Sequence, residues 1–484
     1  MKRLTKTLHA LKGFVRSESG SAMPLIGFSV FALLGATGIS IDMGRVQMAQ
    51  SRMTNALDAA GLAAGANANS VNINDEVTKY FYANFPQGYM GTQVQSLTVT
   101  AEDNNKKLTL NSSGLVDTTF MKVFGINSVE IEAQSEITRS NMGMELVLVM
   151  DTTGSMAEAA GGGQSKIVAA KAAANTLLNI LYGSQNTQEN LWVGLVPFSH
   201  SVNIGTSHSV WTKPDTFNWG PSPSAWMGCV DAREVNGQDT TDTPPLLDGS
   251  GVDNRFPKSY WPCDVNYNAW YGTNNNRNNC ETTPANQVKY KSPLNTSLGP
   301  NKQCSQAVTP LTSLKSTVVN AVSTLTPNGD THIGIGAVWA WHMLSPTWRG
   351  LWGGEMNSSN LPFDYNTPLM NKVVVIMTDG DNTLSNSAHG AYWYLSDNKL
   401  GTTNATVAKT KLNERLATVC SNMKANNIMI YTVAFGTNIS TTVKNLLKSC
   451  ATKPEYYFYS PTGADLQASF QQIGDSLANL RISK

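Results

Sequence analysis

The chain has 484 residues, 41% of them hydrophobic, with 35 basic against 34 acidic side chains and a formal charge of +1. That length can bury more than one core and by size alone suggests two or three domains. The near-cancellation of charge leaves no basic footprint of the kind nucleic acid requires, so nucleic acid is excluded from the expected partners.

Taken in chain order, the first segment is basic: Lys2, Arg3, Lys6, Lys12 and Arg16 precede 19 uncharged residues from Met23 to Ile41, MPLIGFSVFALLGATGISI. That run is long enough to cross a hydrocarbon core of about 30 Å as a helix. The positive-inside bias places residues 1–20 in the cytoplasm and everything after Asp42 outside it. A cleaved signal peptide is the alternative, but it has a shorter apolar core and a small-x-small cleavage site. Here the run continues into DMGRVQMAQSRMTNALDAAGLAAGA, where Met43, Val46, Met48, Met53, Leu57 and Ala60 stand near helical spacing. One helix over 21–66 is therefore expected to pass from membrane to solvent.

This block resembles the TadE/TadG-like segment of tight-adherence (Flp) pilus-assembly proteins, through Gly20, the apolar run, Ile41-Asp42-x-Gly44-Arg45 and the stretch Asn55 to Gly65. The small pseudopilins of that system carry a glutamate five residues past a cleavage glycine. Here Leu25 stands at that distance from Gly20, so the resemblance implies an uncleaved anchor of the larger TadG type.

Between 67 and 140, SLTVTAED, KLTLNSSG and VEIEAQSEIT alternate apolar with polar residues and predict strands with one buried face; Thr118 to Gly125 predicts a short helix among them. A small α+β stalk module is expected.

From 141 to 484 strand and helix patterns alternate. The strand candidates are Met144–Met150, Leu191–Ser199, Lys372–Gly380, Ile428–Gly436 and Tyr456–Pro461. Several are unbroken apolar runs, as expected of strands covered on both faces. Helical stretches lie between them: SKIVAAKAAANTLLNIL, LTSLKSTVVNAVSTL, KLNERLATVCSNMKANN and ADLQASFQQIGDSLANL. The expected class is α/β, a doubly wound, mostly parallel sheet. Leu191–Ser199 has antiparallel pairing at or near an edge as an alternative. An interval of about 200–307 has weak periodicity and is read as an insertion.

Of the six cysteines, Cys229, Cys263, Cys280 and Cys304 fall in that insertion, and Cys420 and Cys450 flank a strand. None has zinc-site spacing, and outside the cytoplasm all six become disulfide candidates. A Cys420–Cys450 bridge is expected; the pairing of the other four stays open. The insertion's Trp211, Trp219, Trp226, Trp261 and Trp270 predict a local packing core, with a carbohydrate- or partner-binding platform as the alternative.

The chemistry concentrates where strands end. LVLVMDTTGSM closes on Asp151, with hydroxyls at Thr153 and Ser155; VVVIMTDG closes on Asp379; and Thr331 lies in a Gly-Asp-Thr turn before a helix. Ligands of a doubly wound sheet bind beyond the strands' carboxyl ends. Carboxylates and hydroxyls with no adjacent base suit a hard divalent cation better than nucleophilic catalysis. Taken alone, Asp-x-Thr-x-Ser also reads as a helix N-cap, with Thr153 or Ser155 capping.

The three elements together resemble the metal-ion-dependent adhesion site (MIDAS) of the von Willebrand factor A domain. The resemblance implies that Thr153, Ser155 and Thr331 meet the ion directly or nearly so and Asp151 and Asp379 mostly through water. It implies magnesium, with manganese or calcium as alternatives, and a protein partner that offers a carboxylate. Asp381 is read as capping its loop, and Gly334 and Gly336 as close helix packing. His200, His208, His332, His342 and His389 form no H-E-x-x-H and pair with no nucleophile.

The whole chain is similar to a TadG-like protein of a Gram-negative inner membrane, its bulk periplasmic or surface-exposed. It is expected to be a non-enzymatic interaction module for assembling or secreting a pilus. A surface adhesin or sensor is the nearer alternative and a metal-dependent hydrolase the remoter one.

Overall fold

A computed structural model describes residues 22–66, 73–102, 107–138, 142–214, 226–233, 237–246, 252–262, 296–297 and 299–482. The basic stub with Gly20, together with Cys263, Cys280, Trp219 and Trp270, lies outside the described residues. The chain forms two compact units, one within Met1–Ser140 and the other Asn141–Arg481.

The first unit begins with a 45-residue helix, α1 (Ala22–Ala66). Its first half is apolar all round and exposed, and the helix is long and apolar enough to cross a membrane. Ser29, Thr37 and Ser40 return their hydroxyls to carbonyls four residues back, so that half carries no unmet hydroxyl. From Val46 the pattern narrows to one buried stripe, Val46, Ala49, Met53, Ala56, Leu57, Ala60 and Ala64, at spacings of three and four. Met43 and Met48, which stand near the same helical spacing in sequence, are exposed, because neither falls on the face the stripe defines.

The stripe packs against α2 (Ile73–Asn84) and an antiparallel sheet of β1 (Thr92–Glu102), β2 (Lys107–Asp117) and β3 (Ser128–Thr138), in that order. In β2 the alternation puts Leu108, Leu110 and Val116 inside. The expected short helix is a 3₁₀ turn, Met121–Phe124.

The second unit is the doubly wound α/β fold anticipated from the strand–helix alternation. Its elements are β4 (Gly143–Asp151), α3 (Lys166–Tyr182), β5 (Leu191–Phe198), β6 (Val202–Asn203), β7 (Cys229–Val230), β8 (Thr309–Thr312), α4 (Lys315–Ser323), α5 (Ile333–Leu344), α6 (Gly354–Ser358), β9 (Met370–Thr378), α7 (Ala405–Ala425), β10 (Met429–Phe435), α8 (Thr441–Cys450), β11 (Tyr457–Ser460) and α9 (Gly463–Ile482). The main sheet runs β11-β10-β9-β4-β5-β8, all parallel except β8. β5 is thus parallel to β4, and the antiparallel edge is the short β8 beside it.

Every residue of β4 is buried, and successive side chains serve opposite faces. Val147 and Val149 join α5, α7 and α8; Leu146, Leu148 and Met150 join α3, α4 and α9. α5 lies close against the sheet because Gly336 has no side chain: a Cβ there would stand 2.7 Å from the Phe198 ring.

The described part of the insertion packs against the main domain. Trp211 and Phe256 meet Trp339, Trp348 and Trp352 in one aromatic cluster, and Trp211, Trp226 and Trp261 are all buried. These three tryptophans therefore form no exposed platform, and the core that holds Trp211 and Trp226 is shared with α5 rather than local. Cys229 is bridged to Cys304, and Cys420 of α7 to Cys450 at the end of α8.

Candidate functional site

In the main sheet the chain proceeds from β4 outward through β5 to β8, then returns to the other side of β4 as β9 and continues to β10 and β11. The order reverses between β4 and β9, and the loops leaving those two strands open a crevice there. Asp151 ends β4, and Asp379 follows Thr378 at the end of β9.

The Asp151 carboxylate is buried and held on both sides. Oδ1 accepts the Thr153 amide at 2.8 Å; Oδ2 accepts the Thr378 hydroxyl at 2.6 Å and the Asp379 amide at 3.3 Å. Burial, and then the neighbouring Asp379 charge, push its pKa up to about 7 against the hydrogen bonds that favour the anion. Thr153 and Ser155 hydroxyls lie 3.0 Å apart, and Ser155 Oγ donates to Asp379 Oδ1 at 2.6 Å. Neither hydroxyl caps a helix: Thr153 precedes a 3₁₀ turn without bonding it, and α3 starts only at Lys166.

The third segment is tied in through backbone. Gly154 N donates to Gly329 O at 2.8 Å, Asn328 N to Thr152 O at 2.6 Å, and Thr331 and Thr383 exchange two hydrogen bonds. A Cβ on Gly380 would stand 3.7 Å from Thr331 Oγ1 and 3.8 Å from Ser155 Oγ, so the Thr331 hydroxyl faces the same small space. Asp151, Thr153, Ser155, Thr331 and Asp379 are thereby gathered at one point on the rim. Ser155 and Gly154 leave it open to solvent.

The sequence patterns do not single out Lys166. Its ammonium donates to Asp379 Oδ2 at 2.9 Å and to Glu158 Oε2 at 2.8 Å. Burial opposes its charge, but the two carboxylates outweigh burial and raise its pKa. A signal for it exists: a lysine opening a helix faces the positive end of the helix dipole, and α3 has no acidic residue in its first turn. Asp381 points elsewhere, accepting the Ser440 amide at 3.0 Å and pairing with Lys409, which fits a role in fixing the loop to α7 and the start of α8. His332, next to Thr331, and His200 and His389 are buried, and burial holds all three below the usual histidine range.

The donor set is oxygen only, three hydroxyls and two carboxylates, which suits a hard divalent cation. Among the described residues no three His, Cys, Asp or Glu side chains gather as ligands, so a cation here would depend on the hydroxyls. Asp151 has no basic side chain among its hydrogen-bond partners.

Residues 20–67 match a family described as putative Flp pilus-assembly TadE/G-like. This TadE/G-like segment covers the apolar helix and the Asp42–Arg45 motif. No curated protein matches the chain. Among solved structures the chain is similar to proximal thread matrix protein 1 from the mussel byssus, at 12% identity and a TM-score of 0.30, over 71% of this chain and 47% of that one. It is similar to the pilus adhesin SpaC from Lactobacillus rhamnosus GG, at 11% and 0.34, over 79% and 34%. It is also similar to the von Willebrand factor domain of a type V pilus tip protein from Porphyromonas gingivalis, at 11% and 0.36, over 71% and 97%. The chain thus spans less than half of the first two.

Proposed function

We propose that the chain is a membrane-anchored, divalent-cation-dependent interaction module that acts in assembling or secreting a tight-adherence pilus. In this reading the N-terminus is cytoplasmic and the bulk of the chain periplasmic. The pilus assignment is supported by the TadE/G-like match on the apolar helix. The interaction chemistry is supported by one observation above all, the meeting of five oxygen-bearing side chains from three distant segments where the strand order reverses.

Ser155, Thr153 and Thr331 would offer neutral oxygens, and Asp151 and Asp379 the compensating charge. With so little direct negative charge, a cation bound there would supply an electrophilic centre able to accept a partner's carboxylate. Thr378 and the Thr153 amide hold Asp151 in place, and Ser155 sits at the solvent side where a partner would arrive. Binding without turnover is favoured because Asp151 is held by the Thr378 hydroxyl and the Thr153 and Asp379 amides, and no nucleophile paired with a basic side chain stands among these partners. Magnesium is the first candidate.

Calorimetry on the whole chain in detergent tests this. Magnesium or manganese should bind, and Asp151→Ala and Asp379→Ala should each abolish the heat. Binding unchanged by both substitutions defeats the assignment.

A further inference from the structure

The turn between β2 and β3 carries four large apolar side chains in seven residues, and all face out: Phe120 is 44% exposed, Val123 76%, Phe124 54% and Ile126 43%. Loose surface loops expose apolar groups singly; a contiguous set calls for a partner. This set is held rigidly. The Asp42 carboxylate, itself buried, accepts the amides of Thr119, Phe120 and Met121 at 3.0, 2.7 and 2.8 Å. Arg45 adds bonds of 2.8 Å to Thr119 Oγ1 and to Met90 O.

Its place along α1 points to the occupant. Phe120 lies on Gly38, whose Cβ would stand 2.7 Å away, and Phe124 reaches Gly35, whose Cβ would stand 3.3 Å away. Gly35 is seven residues before Asp42, about 10 Å further along the helix. The turn therefore folds back beside the apolar half of α1, in which Phe31, Leu34 and Ile41 are also exposed.

Much of the turn's backbone is bonded within the turn, which lowers the cost of placing it in hydrocarbon. Val123 N donates to Phe120 O, Gly125 N to Lys122 O and Ile126 N to Met121 O, while Thr118 bonds Asn127 and Ile126 across the base. Lys122 is the turn's one charge, on a stem long enough to reach a headgroup.

We propose that residues Phe120–Ile126 form a second membrane contact, an apolar wedge among lipid acyl chains beside α1, set at its depth by Asp42 and Arg45. The wedge rests on the anchor reading of α1. It gives the Asp42-x-Gly44-Arg45 sequence a physical role, that of fixing where the helix leaves the bilayer.

The test uses the full chain in bilayers of phosphatidylethanolamine and phosphatidylglycerol, with a spin label on Val123→Cys, Leu33→Cys or Thr98→Cys in turn. Val123 is so exposed that the label should not disturb folding. Relaxation by oxygen is compared with relaxation by a water-soluble nickel chelate. The wedge requires the Val123 label to favour oxygen, as Leu33 should, while Thr98 favours nickel. A Val123 label behaving like Thr98 while Leu33 remains lipid-like overturns the wedge and leaves the anchor standing. A Val123 label shielded from both reagents means a protein covers the turn, which also overturns it. If Leu33 itself favours nickel, the anchor falls and the wedge with it.

Discussion

Lys166 stands where helix electrostatics disfavour it, and its two carboxylate partners explain why it is tolerated. Its contact with Asp379 places a tethered ammonium on one of the two anions a divalent cation would need. Ammonium and cation therefore compete. In Lys166→Met, magnesium should bind about tenfold more tightly, equivalent to about 1.4 kcal/mol. The metal-free variant should lose about 3 kcal/mol of stability, because Asp379 is left buried without its partner. Magnesium should restore most of that loss through preferential binding to the folded state. Calorimetry, with urea midpoints in chelator and in magnesium, reads both effects. An unchanged or weaker magnesium affinity would show that the ammonium does not compete.

The same residue marks the limit of sequence reading at the site. Asp151 and Asp379 stand out because each ends an apolar run, and Thr153 and Ser155 follow by alternation. Lys166 meets Glu158 and Asp379 across separations of 8 and 213 residues, and no local period connects them.

The pairing of β4 with β9 places Glu145 directly beside Lys372, and both are buried. Burial pushes the Glu145 carboxyl up and the Lys372 amine down, and each group is the chief opponent of the other's shift. The Phe363 amide and the Leu344 carbonyl complete the set at 2.7 and 2.9 Å. Lys372→Met alone should cost about 3–5 kcal/mol by stranding Glu145, whereas adding Glu145→Leu should recover most of it. Urea unfolding of the two single variants and the double variant closes the cycle, and additive losses would argue against a coupled pair.

Sequence reading recovers β4, β5, β9 and β10 because strands covered on both faces write themselves as continuous apolar text. It misses α2, whose twelve residues bury only Val77 and Phe81, and β8, four residues long at an edge. Neither presents enough apolar positions to establish a period. The insertion resists for a different reason: Trp211 and Phe256 are specified by contact with α5, more than 70 residues away in the chain, and not by neighbours in sequence.

The four described cysteines are all paired, and the pairs close segments separated by 75 and 30 residues. Chain entropy assigns roughly 4 kcal/mol to each closure, of the same order as the net stability of a typical domain. A chain that relied on both bridges would be poorly suited to a reducing compartment, which connects the cysteines to the proposed direction of the anchor. Cells quenched in acid, alkylated and digested without reductant should therefore yield Cys420 linked to Cys450 and Cys229 linked to Cys304. Reduction before alkylation should release all four. Recovery of these cysteines as singly alkylated peptides from unreduced cells would place the second unit on the cytoplasmic side. The positive-inside assignment of α1 would then be reversed, and with it the compartment in which the rim of the sheet meets its partner.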